Sequence, residues 1–106
     1  MADNLPRLHL VCYDIGDPKR LRRVHHCMVG WGVPVQYSVF IATLVRAQVD
    51  LLIGELEQTI DPAHDDVRIY PLPIALKVLS MGRSWFPEGI SLVEKGRDLL
   101  DLDEEP

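Results

Sequence analysis

Leu8-His9-Leu10-Val11-Cys12-Tyr13-Asp14, followed after Ile15-Gly16 by Asp17-Pro18-Lys19-Arg20-Leu21-Arg22-Arg23-Val24, carries the clue to the fold. Arg7 to Tyr13 reads as a strand that Asp14 closes. Its near-continuous apolar character predicts burial on both faces, as in a central strand. Asp17 then suits a helix N-cap and Pro18 the first helical position. Leu21, Val24, Met28 and Trp31 recur at helical spacing with Cys27 beside them, and Gly30 and Gly32 end the run. A carboxylate at a strand's exit suits a hard cation such as Mg2+, and arginines one turn on suit a phosphate.

Working outward, Val33 to Ala42 is β-rich and Pro34 suits a strand start or an edge. The segment reads as one long strand or two short ones joined at a bulge. Thr43 is the candidate cap of a second helix with the stripe Val45, Val49, Leu52, Leu56 and Ile60 and with Glu55, Glu57 and Gln58 facing outward. Asp61 to Asp66 is a polar turn. Val67 to Leu72 is a strand stopped by Pro71 and Pro73. Ala75 to Met81 reads as a last core or edge strand, Trp85-Phe86-Pro87 as an aromatic turn, and Ser91-Leu92-Val93 as a further short strand. The predicted class is α+β: a ferredoxin-like split βαβ sandwich with an extra C-terminal strand. Both helices of that fold pack on one sheet face, so the bare apolar face predicts a homodimer.

The chain of 106 residues suits one domain, over 1–96, with residues 97–106 as an acidic, mobile tail. Its net charge of −5 is unevenly placed. Residues 1–43 hold five Lys/Arg against three Asp, whereas residues 44–106 hold six against thirteen acids. Five of those acids crowd the last nine residues. A basic first half can therefore meet a phosphate backbone despite the overall sign. No apolar run suits a membrane span, and Met1-Ala2-Asp3-Asn4 lacks the features of a secretory signal. Cys12 and Cys27 match no metal spacing and read as core thiols of a cytoplasmic protein.

Three groups of residues are candidates for chemistry. Asp14 is either a turn carboxylate or a Mg2+ ligand. One carboxylate is weak for that ion, and a two-fold dimer would supply a second. Lys19, Arg20, Arg22 and Arg23 read as a solvated helix face or as phosphate contacts. Four cations in five positions repel one another unless an anion offsets them. His25 and His26 extend the strip but point to different faces, which does not suit a metal pair. Tyr37 and Phe40 are core or interface aromatics, or stacking partners for a base. Ser38 lacks nucleophile-elbow glycines and an evident base, and there is no phosphate-cradling Gly-rich loop.

Tyr13-Asp14-Ile15, then Lys19 to Val24, Gln36-Tyr37-Ser38-Val39-Phe40 and Val67 to Leu72 together resemble the second CRISPR-associated (Cas) protein family. The resemblance spans roughly residues 7 to 82. It implies ferredoxin-like subunits in a symmetric dimer whose sheets face each other. It also implies a scaffold that bridges integrase subunits and holds prespacer DNA during spacer acquisition. Some members are Mg2+-dependent endonucleases on RNA or duplex DNA, which makes Asp14 the implied catalytic and metal-binding acid. Tyr13, Arg23 and Phe40 match positions the family associates with the site. Family members often carry a basic residue before the Val-Gln of the second block, where this chain has Pro34. The alternatives are a ferredoxin-like, toxin-like ribonuclease or a non-catalytic interaction module.

Overall fold

The computed structural model describes residues 5–77, 79 and 81. The elements run β1 (Arg7–Asp14), α1 (Pro18–Val29), β2 (Val33–Gln36), β3 (Val39–Leu44), α2 (Arg46–Thr59) and β4 (Asp66–Pro71). The four strands form one sheet in the order β2-β3-β1-β4. β1 is central, antiparallel to β3 from Arg7↔Leu44 to Cys12↔Val39 and to β4 from His9↔Pro71 to Asp14↔Asp66. This is the split βαβ arrangement that the sequence pattern predicts.

Asp17 caps α1, its carboxylate accepting from the amides of Lys19 and Arg20 at 3.0 Å each. Val24 and Met28 are buried along the predicted stripe. Trp31 lies past the helix end and donates its indole N–H to Glu55 of α2 at 2.8 Å. Glu55 is thus tied to the neighbouring helix rather than free in solvent. Cys27 also donates to it at 3.4 Å, and burial together with that carboxylate pushes the thiol up to about 11. Both cysteines are free thiols.

The β-rich stretch forms two strands around a two-residue turn, Tyr37-Ser38, with a register irregularity between Pro34 and Gln36. Thr43 does not cap α2. It sits in β3 opposite Leu8, and Val45 occupies the N-cap position, its amide donating to the Gln48 side chain at 2.8 Å. The predicted strand over Ala75 to Met81 is not present among the described residues. Pro71 and Pro73 cannot donate to a ladder, a turn follows at Ile74-Ala75, and Ile74, Leu79 and Met81 are exposed. The aromatic turn at Trp85, the Ser91 strand, the extra C-terminal strand and the acidic tail lie outside the described residues.

The core lies between the helices and one sheet face. Val11, Tyr13, Phe40, Ala42 and Leu44 from the sheet meet Val24, Met28, Leu52 and Leu56 from the helices. The other face is apolar too but carries no helix. There Ile41 is surrounded by half-buried Leu8, Leu10, Val33, Val35, Leu72 and Leu76. The apolar run of β1 therefore serves two faces, of which the chain's helices cover one. Among the described residues no helix is long and apolar enough to cross a membrane.

Candidate functional site

Side chains alternate along β1, so neighbours in the run part company. Tyr13 turns inward beneath the helices, whereas Asp14 is exposed at the strand's end on the helix-free face. Directly across the β1–β4 pair stands Asp66, which accepts from Arg68 Nε at 3.1 Å. Like charges in directly opposed positions disfavour pairing unless something cationic lies near them. Arg68 supplies part of that charge. The Asp14 carboxylate has no hydrogen-bond or ion-pair partner among the described residues.

Around Asp14 the donor set is too sparse for a metal cage. Among the described residues no three His, Cys, Asp or Glu side chains gather into a metal-binding group. Mg2+ keeps several waters and takes one or two carboxylates together with phosphate oxygens. An exposed carboxylate with a second one opposite suits that mode, not a full cage within one chain.

The four cations of α1 separate into two sets. Arg20 is engaged bidentately by Asp65, at 2.8 Å through Nε and 3.1 Å through a terminal nitrogen. The Asp65 side chain has no exposed surface. It also accepts from the amides of Gly16 and Asp61, at 2.8 Å each. The Arg20 guanidinium and these amides hold its carboxyl far below the usual carboxylate range. Arg20 therefore locks the β1–α1 corner to the α2–β4 turn, and its charge is already matched. Lys19, Arg22 and Arg23 are exposed and have no ion-pair partner among the described residues.

Tyr13 and Phe40 are core residues in this fold. Their rings stack 6.3 Å apart at 26°, and His25 meets Phe40 edge-on at 5.4 Å. The Tyr13 hydroxyl lies 3.2 Å from His25 Nδ1. Burial raises the Tyr13 pKa, so the phenol stays protonated at neutral pH, and the tautomer of His25 sets which of the two groups donates. The sequence pattern gives no sign of Asp65 and Asp66, which sit with Asp61 in a polar turn where nothing local distinguishes them.

The protein-family description "CRISPR associated protein Cas2" matches residues 7–75. The chain is 41% identical over 81 residues to CRISPR-associated endoribonuclease Cas2 1 of Nitrosomonas europaea, spanning 76% of this chain and 77% of that protein. It is 42% identical over 86 residues to CRISPR-associated endoribonuclease Cas2 2 of Thermodesulfovibrio yellowstonii, spanning 79% and 93%. The crystal structure of Streptococcus pyogenes Cas2 superimposes with a TM-score of 0.60 at 36% identity, covering 64% of this chain and 88% of that one. A hypothetical protein from Thermus thermophilus gives a TM-score of 0.70 at 32% identity over 78% and 99%. With the βαββαβ order, the sheet order and an exposed acid closing β1, these matches make the chain a member of the CRISPR-associated protein Cas2 family.

Proposed function

We propose that this protein is a dimeric, nucleic-acid-binding component of CRISPR adaptation that holds prespacer DNA for an integrase subunit in the cytoplasm. In the same reading, paired Asp14 carboxylates hold Mg2+ for hydrolysis of a phosphodiester. One observation carries it: Asp14 is exposed and unpartnered, among the described residues, at the edge of an apolar sheet face that no helix covers. A second copy laid on that face about a two-fold axis close to Asp14 would bring its own Asp14 alongside the first. The endoribonuclease names of the relatives support the hydrolytic part.

The chemistry follows from the residues. The two Asp14 carboxylates would hold Mg2+, and the ion would supply polarisation of a phosphoryl oxygen and a lowered pKa for a bound water. Lys19, Arg22 and Arg23 hold the nucleic-acid backbone by charge, without reading sequence. Arg20 serves them indirectly by anchoring α1.

Two measurements test the reading. Wild type and Asp14→Ala are assayed on RNA and on duplex DNA with Mg2+ and with EDTA. Cleavage that requires Mg2+ and is lost in Asp14→Ala is the expected result; equal trace cleavage in both proteins rejects the metal site. For the holding role, Lys19→Ala, Arg22→Ala and Arg23→Ala combined weaken DNA binding. They also lower the slope of log affinity against log salt by about 0.9 for each phosphate no longer neutralised. An unchanged slope rejects phosphate binding by α1.

A further inference from the structure

Tyr37 stands at the tip of the β2–β3 hairpin with 83% of its surface exposed. The next residue, Ser38, has φ of 62°, in the left-handed region that glycine or asparagine ordinarily fills. Its carbonyl accepts from the Tyr13 amide at 3.1 Å, so the turn is tied to the central strand. A strained backbone held by such a tether positions its neighbour, and strain of this kind gathers at ligand sites. Behind the turn lies an open cleft of about 580 Å³. That is within the ~300–1,000 Å³ range of clefts that take small organic groups.

The cleft has three kinds of wall. Leu21 and Val29 of α1 make it apolar. Tyr13 and His25, joined through the 3.2 Å hydrogen bond, form an aromatic floor. Arg22 and His26 bring donors to the rim, and Tyr37 closes the hairpin side. An apolar, aromatic slot with a cation at its mouth suits a flat heterocycle that carries a phosphate. Aromatic stacking accepts any base, and guanidinium is the side chain best matched to phosphate oxygens.

We propose that this cleft takes one unstacked nucleotide from a single-stranded stretch or end of a nucleic acid. The base lies against Tyr37 and the phosphate against Arg22. The proposal deepens the nucleic-acid reading above and rests on it. It gives the protein a site that prefers frayed or overhanging ends to continuous duplex, independent of Asp14 on the opposite sheet face.

The test uses the full chain with two probes: a blunt duplex, and the same duplex with a single-stranded overhang bearing 2-aminopurine. Tyr37→Ala and Tyr37→Phe are compared with wild type. The expected results are tighter binding of the overhang, quenching of 2-aminopurine, and loss of both in Tyr37→Ala. That loss is on the order of tenfold in overhang affinity, with blunt-duplex affinity unchanged and Tyr37→Phe behaving as wild type. Adenosine monophosphate should compete only far above the probe concentration. Equal binding of both probes, or parallel losses on both in Tyr37→Ala, overturns the cleft while leaving the duplex-holding reading intact. Displacement by adenosine monophosphate at probe concentration overturns the strand assignment in favour of a free nucleotide. Failure of wild type to bind either probe overturns the nucleic-acid reading and this proposal with it.

Discussion

Asp14 and Tyr13 are consecutive, yet they belong to different surfaces. The two-residue period of a strand separates them: the phenol goes into the helix-covered core and the carboxylate to the helix-free face. Site residues implied by one short motif therefore have two jobs. Asp14 is available to a cation, whereas Tyr13 and Phe40 act through packing. Ser38 shows a comparable constraint in the backbone. A β-branched side chain is poorly tolerated where φ is positive. Ser38→Val should lower unfolding free energy by ~1 kcal/mol or more in urea melts, while Ser38→Gly should not lower it, because relief of strain offsets the added backbone entropy. Equal melts for Ser38→Val and wild type would show that the turn relaxes.

Between elements, the decisive contact is Arg20 with Asp65. It joins the start of α1 to the turn before β4, and the Gly16 and Asp61 amides complete the shell of the carboxylate. The pH consequence has a definite sign. The Asp65 carboxyl is depressed in the folded state, chiefly by the Arg20 hydrogen bond. Its stabilisation is full above the ordinary carboxylate value of about 3.9 and is lost as pH falls below it, because the unfolded chain then binds the proton first. Asp17, capping α1, and Asp61, beside His64, are depressed too and act in the same direction. Asp65→Asn should lower Tm at pH 7 and narrow the gap between Tm at pH 7 and at pH 3. An unchanged gap would assign the acid sensitivity to other carboxylates. In the sequence Arg20 is one of four equivalent cations. Only the fold pairs it, because its partner is 45 residues away.

At the scale of the whole molecule, the helix-free sheet face is the surface on which the proposed dimer rests. Ile41, Leu8, Leu10, Val33, Val35 and Leu72 form an apolar surface that a monomer leaves without a helical layer. In the proposed dimer a second copy covers it and pairs the two Asp14 residues. Leu10 lies mid-face, opposite Ile41 on one side and Tyr70 on the other. Leu10→Glu should weaken self-association by about tenfold or more in analytical ultracentrifugation, with circular dichroism unchanged. A wild type that sediments as a monomer would reject the paired-carboxylate site altogether.

Much of this fold is legible in the sequence because it depends on local chemistry. Asp17-Pro18 starts a helix by capping and by the fixed φ of proline, and the stripe Val24/Met28 and the apolar run of β1 declare which elements are buried. The order of those elements implies the sheet. The second helix cap is misleading in the sequence, since Thr43 has the right side chain but is claimed by the β1–β3 ladder. The strand expected over Ala75 to Met81 does not form among the described residues, where the chain turns at Ile74-Ala75 and leaves Leu79 and Met81 exposed despite their apolar character. What only the tertiary structure decided is which charges are matched and which aromatics are open. Asp65 engages Arg20 and leaves Lys19, Arg22 and Arg23 unpaired among the described residues, and Phe40 is buried while Tyr37 is exposed. Those outcomes depend on distances between residues far apart in the chain, and the periodicity of a single element carries no information about them.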